Sequence, residues 1–141
     1  MTIAAGVLRL QDIALECTTV SIKSAPDWPI ENVDPLPMAI SRIEGVSSYV
    51  MNRMIVMLTT IIVEFHFSRV NLKLSYQQSD AIAIEFTRRL AGDPTLGGAV
   101  DTIEMNRERP LTAQAGITEW ANTATRTVAF AVIVKTLESP I

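Results

Sequence analysis

The run from Met54 to Phe67 constrains this chain more than any other stretch. Read at a period of two, one face carries Ile55, Met57, Thr59, Ile61, Val63, Phe65 and Phe67. The other carries Met54, Val56, Leu58, Thr60, Ile62, Glu64 and His66. Both faces are apolar through the first half, which predicts a strand covered on both sides there. A spanning helix would need about 20 apolar residues, but Thr59 and Thr60 interrupt this run and Glu64 closes it. A soluble chain is expected, one that supplies strands to pair with this one and helices to cover it.

Met38 to Ile43 alternates as a short strand, and Gly45 then opens a loop through about Asn52. The two strands form an antiparallel hairpin in this reading, with a loop of about ten residues where two to five are usual. Val46, Tyr49, Val50 and Met51, with Met54 at the loop's end, are apolar for a solvent tip. That places them, as an expectation, against another subunit. Thr123 to Leu137 reads as a long strand, with Val128, Phe130, Val132 and Val134 on one face. Ala99 to Met105 reads as a shorter one, followed by a charged turn from Asn106 to Pro110. In Leu111 to Trp120 the alanines and Gly116 blur any period.

Two helices are expected. In the first, about Ala5 to Thr18, Val7, Leu10, Ala14 and Cys17 recur at three- and four-residue steps. The second, about Ser75 to Ala91, opens on Ser75-Tyr76-Gln77-Gln78, a capping-box pattern. Ile82, Ala83, Phe86 and Leu90 make its buried stripe, and Gln77, Asp80, Glu85 and Arg88 its outer face. Gly92 stands where a left-handed C-cap is wanted, and Pro94 prevents continuation. Between the first helix and the first strand, Pro26, Pro29, Pro35 and Pro37 predict an extended connector anchored by Trp28 and Ile30. The order α-β-β-α-β-(β)-β over one domain, residues 1–141, points to an α+β fold, a mostly antiparallel sheet covered by two helices.

Charged residues make up only 19% of the chain, against a usual share of about 25%, while 48% are hydrophobic. So few charges leave apolar patches exposed on a monomer, and such patches usually mark partner surfaces. A net charge of −3 argues against nucleic acid, which requires a basic face. Arg88-Arg89 and Arg107/Arg109 are too sparse for a phosphate track. The single cysteine, Cys17, excludes an internal disulfide and reads as a buried, inert thiol. The start of the chain lacks the basic segment of a signal peptide.

Candidate chemistry is thin. His66 is the only histidine, so no His–His metal pair is available within one chain. Glu64 lies two residues earlier on the same face, where a carboxylate could orient an imidazole for acid–base work. The polar end of an apolar strand explains the same pair. Gly97-Gly98 follows a helix and precedes a strand, the reverse of a nucleotide loop. Asp93 and Asp101 flank the same turn but have too few oxygen neighbours for calcium, which takes six to eight. Asp93 is expected to bond the amides of Thr95 or Leu96. Trp28 and Trp120 are candidate contact residues, tryptophan being enriched at interface hot spots. No catalytic, cofactor-binding or metal-binding residue is assigned.

The segment Arg88-Arg89-Leu90-Ala91-Gly92-Asp93-Pro94-Thr95-Leu96-Gly97-Gly98-Ala99-Val100-Asp101-Thr102-Ile103 resembles a stretch of small tail-completion proteins of long-tailed phages, the tail terminator or minor tail proteins. Ile22 to Pro29 with Leu36-Pro37 is similar to their proline-rich connector, and Ile61 to His66 to one of their strands. The resemblance implies a tail-terminator-like fold and a virion structural protein at the head–tail junction, made in the host cytoplasm. Six copies would form a ring that caps the tail tube and faces the head connector or neck protein. It implies no cofactor and no catalytic residue. A neighbouring role, a head-completion or neck adaptor protein, fits nearly the same residues. A small enzyme or ligand-binding module using Glu64 and His66 is the alternative from another class.

Overall fold

The computed structural model describes residues 3–26, 36–120 and 123–140, and for Trp120 and Thr123 the backbone only. Helix α1 spans Ile3–Glu16, and strands β1 (Met38–Met51) and β2 (Met54–Ser68) follow. Helix α2 covers Leu72–Ala91, then come β3 (Thr102–Glu104), β4 (Thr112–Trp120) and β5 (Thr123–Glu138). The sheet is antiparallel throughout its named strands, in the order β1-β2-β5, with β3 and β4 end to end along the far side of β5. Both helices lie on one face, α1 over β1 and β2 and α2 over β2 and β5. The chain is α+β, as its element order predicts.

The core lies between helices and sheet. It joins Val7, Leu10 and Ile13 of α1 and Ile82, Phe86 and Leu90 of α2 to Ile61, Val63, Phe65 and Phe67 of β2 and to Val128, Phe130, Val132 and Val134 of β5. Phe65, Phe86 and Phe130 form its centre, with ring centroids 4.7–5.7 Å apart and none face to face. That is the tilted geometry the ring quadrupole favours. The opposite face of β2 is also closed, with Val56, Leu58, Ile62 and His66 buried.

The hairpin differs from its sequence reading. No loop opens at Gly45: β1 continues to Met51, and the turn is two residues, Asn52 and Arg53, at φ 52° and 65°. Val46, Tyr49 and Val50, on either side of Ser47-Ser48, are good strand formers, and Gly45 marks only a register shift after Ile43. The asparagine takes up the left-handed turn geometry readily, so the strands meet tightly.

Helix α2 also begins earlier than the capping-box pattern suggests. Asn71 is the N-cap, its Oδ1 accepting from the Leu74 amide at 3.1 Å. Ser75 is buried one turn in, its hydroxyl donating to the Leu72 carbonyl at 3.0 Å. Gly92 is right-handed at φ −83°, and the left-handed residues come later, at Leu96, Gly97 and Gly98. Ala99 and Val100 therefore belong to the turn, and the expected strand shortens to Thr102–Glu104. The stretch without a period, 111–120, is β4, carried by its ladder with β5. α1 stops at Glu16 rather than Thr18.

Of the connector, Lys23 to Pro26 runs parallel to the start of β1. The Lys23 amide donates to the Pro37 carbonyl (2.8 Å), that of Ala39 to Ser24 (2.9 Å) and that of Ser41 to Pro26 (3.0 Å). Trp28, its expected anchor, lies outside the described residues, as does Ile30.

Candidate interaction surface

The turn that carries the resemblance is an internal clamp. Asp93 places one carboxylate oxygen 2.8 Å from the Gly97 amide, and the other accepts from Arg9 Nε of α1 at 2.8 Å. Of the expected partners, the Leu96 amide does bond Asp93, but at its main-chain carbonyl (3.1 Å), and the side chain takes Gly97 instead. Thr95 caps the Gly98 amide through its hydroxyl (3.2 Å), and Leu96 is buried. Asp101 then fixes the end of β5: its amide donates to the Lys135 carbonyl (3.0 Å) and its Oδ2 accepts from the Leu137 amide (2.7 Å). A Cβ on Gly6 would stand 3.3 Å from Val100 Cγ1, so α1 sits close against this turn. Burial pushes the Asp93 carboxyl up, but the guanidinium of Arg9 and the Gly97 amide hold it below the ordinary aspartate range. The Asp93 carboxylate and the Gly97 and Gly98 amides are thus bonded within the chain.

Glu64 and His66 come together as their spacing suggests. His66 Nε2 is 2.7 Å from Glu64 Oε1, its Nδ1 is 2.7 Å from the Thr125 hydroxyl, and Arg42 approaches Glu64 at 3.9 Å. The His66 contact holds the Glu64 carboxyl below the ordinary range against the opposing effect of burial. The imidazole is wholly buried. None of the five cavities characterised among the described residues is lined by either side chain. The polar row Arg42–Glu64–His66–Thr125 therefore crosses β1, β2 and β5 as a tie within the sheet. No group of three metal-ligating side chains occurs among the described residues.

Sequence reading missed Glu85. Assigned to the wet face of α2, it reaches instead to the end of α1, where the amides of Thr18 and Thr19 donate to it at 2.8–2.9 Å, the Thr19 hydroxyl at 2.6 Å and Arg89 Nε at 2.8 Å. Burial raises its pKa, and these donors outweigh that effect, bringing it down to about 2. No sequence pattern links positions so far apart. Cys17 is buried as expected, its thiol pushed up to about 12 by burial first.

One outward-facing apolar surface is the arm formed by the second half of β1; Val70, Leu72, Leu74 and Tyr76 around the start of α2 are exposed as well. Residues from Arg42 to Met51 are all exposed, after four buried ones. Ile43, Val46 and Val50 fall on the helix side of the sheet, while Tyr49 and Met51 fall on the other. Val50 is 72% exposed. Tyr49, Val56 and Leu137 form a cross-strand row on that other side, of which Tyr49 and Leu137 remain exposed. Val46, Tyr49, Val50, Met51 and the half-buried Met54 thus gather as expected, on a paired strand instead of a loop. Ile43 joins them, though the sequence reading ended the short first strand at it and left it out of the apolar set. Trp120 does not join them: it pairs with Thr123 at the opposite end of β5 from the arm.

Among the described residues no helix is long and apolar enough to cross a membrane. Comparison of the chain with known protein families and with curated proteins returned no match.

Proposed function

We propose that this chain is a structural subunit of a phage head–tail junction, a tail-terminator-like protein that assembles into a ring on the end of the tail tube. The observation that carries the reading is the arm: Ile43, Val46, Tyr49, Val50 and Met51 are exposed together on one strand. An isolated subunit leaves that patch wet, whereas a neighbouring copy removes it from water at about 25 cal/mol per Å2 of apolar area. The likeness of Arg88–Ile103 to tail-completion proteins supplies the identity of the assembly. The low charge content fits a subunit with interfaces on two flanks.

Light scattering of the purified protein should give a closed oligomer, and electron microscopy should place it at the end of assembled tails. A chain that stays monomeric and is absent from virions overturns the reading. Acid–base chemistry at Glu64 and His66 is disfavoured by the closed burial of the imidazole. His66→Ala should lower stability and leave any assembly otherwise unchanged, and loss of a turnover in a fully folded variant would restore the enzymatic alternative.

A further inference from the structure

The sheet has two edges without a described partner strand. One is the outer edge of β1 from Arg42 to Met51, the other the outer edge of β4 from Thr112 to Trp120. Nearly every described side chain on both is exposed. Neither contains a lysine or proline, the residues that usually blunt a free edge. The register shift at Gly45 disturbs only the base of the arm and leaves Val46 to Met51 regular.

Hydrogen-bond alternation shows which amides point outward. The amides of Ala39 and Ser41 leave β1 on its outer side. Carried through the register shift, the outward set becomes Val46, Ser48 and Val50, with Met51 and Met54 closing the two-residue turn inward. The same alternation across β2 and β5 turns Ala113, Ala115, Ile117 and Glu119 outward on β4.

We propose that the β1 arm of one copy adds to the β4 edge of the next, so that neighbouring subunits share one continuous antiparallel sheet. This rests on the ring-subunit reading above and names the partner surface within it. Successive strands β1, β2, β5 and β4 alternate in direction, so a second copy in the same orientation presents β4 antiparallel to β1. The helix-bearing faces then stay on one side. The edges are similar in length, Arg42 to Met51 against Thr112 to Trp120.

The contact is heterologous and propagates. Ser47, at the middle of the arm, is level with Lys135, and Gly116, at the middle of β4, with Thr127. Eight residues of stagger correspond to about 26 Å at roughly 3.3 Å per residue. A sheet with such a stagger closes on itself only with strands steeply inclined to the ring axis.

Two experiments test this on the full chain. In the first, Ser47→Cys is mixed with Thr112→Cys, Gln114→Cys or Gly116→Cys under mild oxidation. A mixed disulfide with one β4 position is expected, and none from Ser47→Cys alone. An oligomer that yields no mixed disulfide, or that cross-links Ser47→Cys to itself, overturns the edge assignment and leaves the ring reading standing. A protein that is monomeric throughout overturns both. In the second, Ser48→Pro removes an outward N–H while sparing the β1–β2 ladder. It should abolish assembly and leave a monomer that still melts cooperatively, whereas Ser47→Pro, which removes an inward N–H, should melt lower than that monomer. A Ser48→Pro protein that assembles like the parent sinks the proposal.

Discussion

Single side chains join parts of this molecule that sequence distance keeps apart, and Glu85 is the clearest. It supplies an acceptor to the amides of Thr18 and Thr19 in the bend that follows α1. Glu85→Gln should lower stability by about 1–3 kcal/mol, since it weakens charge-assisted hydrogen bonds; denaturant titration measures it. Its folded pKa of about 2 lies below the ordinary value of 4.5. The stabilisation is therefore fully present above pH 4.5 and is lost as pH falls towards 2. Glu64 and Asp93 act in the same direction. Tm should fall through that window, and less steeply in Glu85→Gln. Gly97, at φ 67°, is the other position where one atom matters: Gly97→Ala should cost about 1–2 kcal/mol through backbone strain, read from the same titration.

At the scale of elements, the strands and helices carried by hydrophobic period were legible, and their limits were not. β2, β5 and the buried stripe of α2 came directly from alternation and from three-four spacing, because each has a face committed to one core. Phe86→Ala should cost about 3–5 kcal/mol, in keeping with its place between Phe65 and Phe130. β4 was illegible because its small and polar residues derive their conformation from the ladder with β5. The arm was misread because Gly45 reads as the opening of a loop, against the two to five residues usual for a hairpin, while the ladder with β2 makes strand of every residue up to the turn. The turn itself has room for improvement: Arg53 holds φ 65° at a position that favours glycine. Arg53→Gly should raise stability by up to about 1 kcal/mol, visible as a higher Tm.

On the scale of the whole molecule, the helices cover only part of a sheet whose three main strands are paired from end to end. The sequence announced the consequence, an apolar surface short of charge, and located one part of it at 46–51. It missed the edge geometry because exposure of a strand edge depends on which strands pair, a long-range outcome. If the arm is buried between copies as proposed, Val46→Lys and Val50→Lys together should leave a monomer that still melts cooperatively, as light scattering and thermal melts would record; an intact oligomer would move the interface elsewhere. The clamp at Asp93–Asp101 belongs to the opposite category. Its carboxylates, its threonine hydroxyl and its buried leucine all answer to α1, to β5 or to the turn's own backbone. A turn whose polar side chains are spent on its own chain is portable: the surface elsewhere can be rewritten for a new neighbour while these bonds stay unchanged, and architecture and partnership in this chain can be altered one without the other.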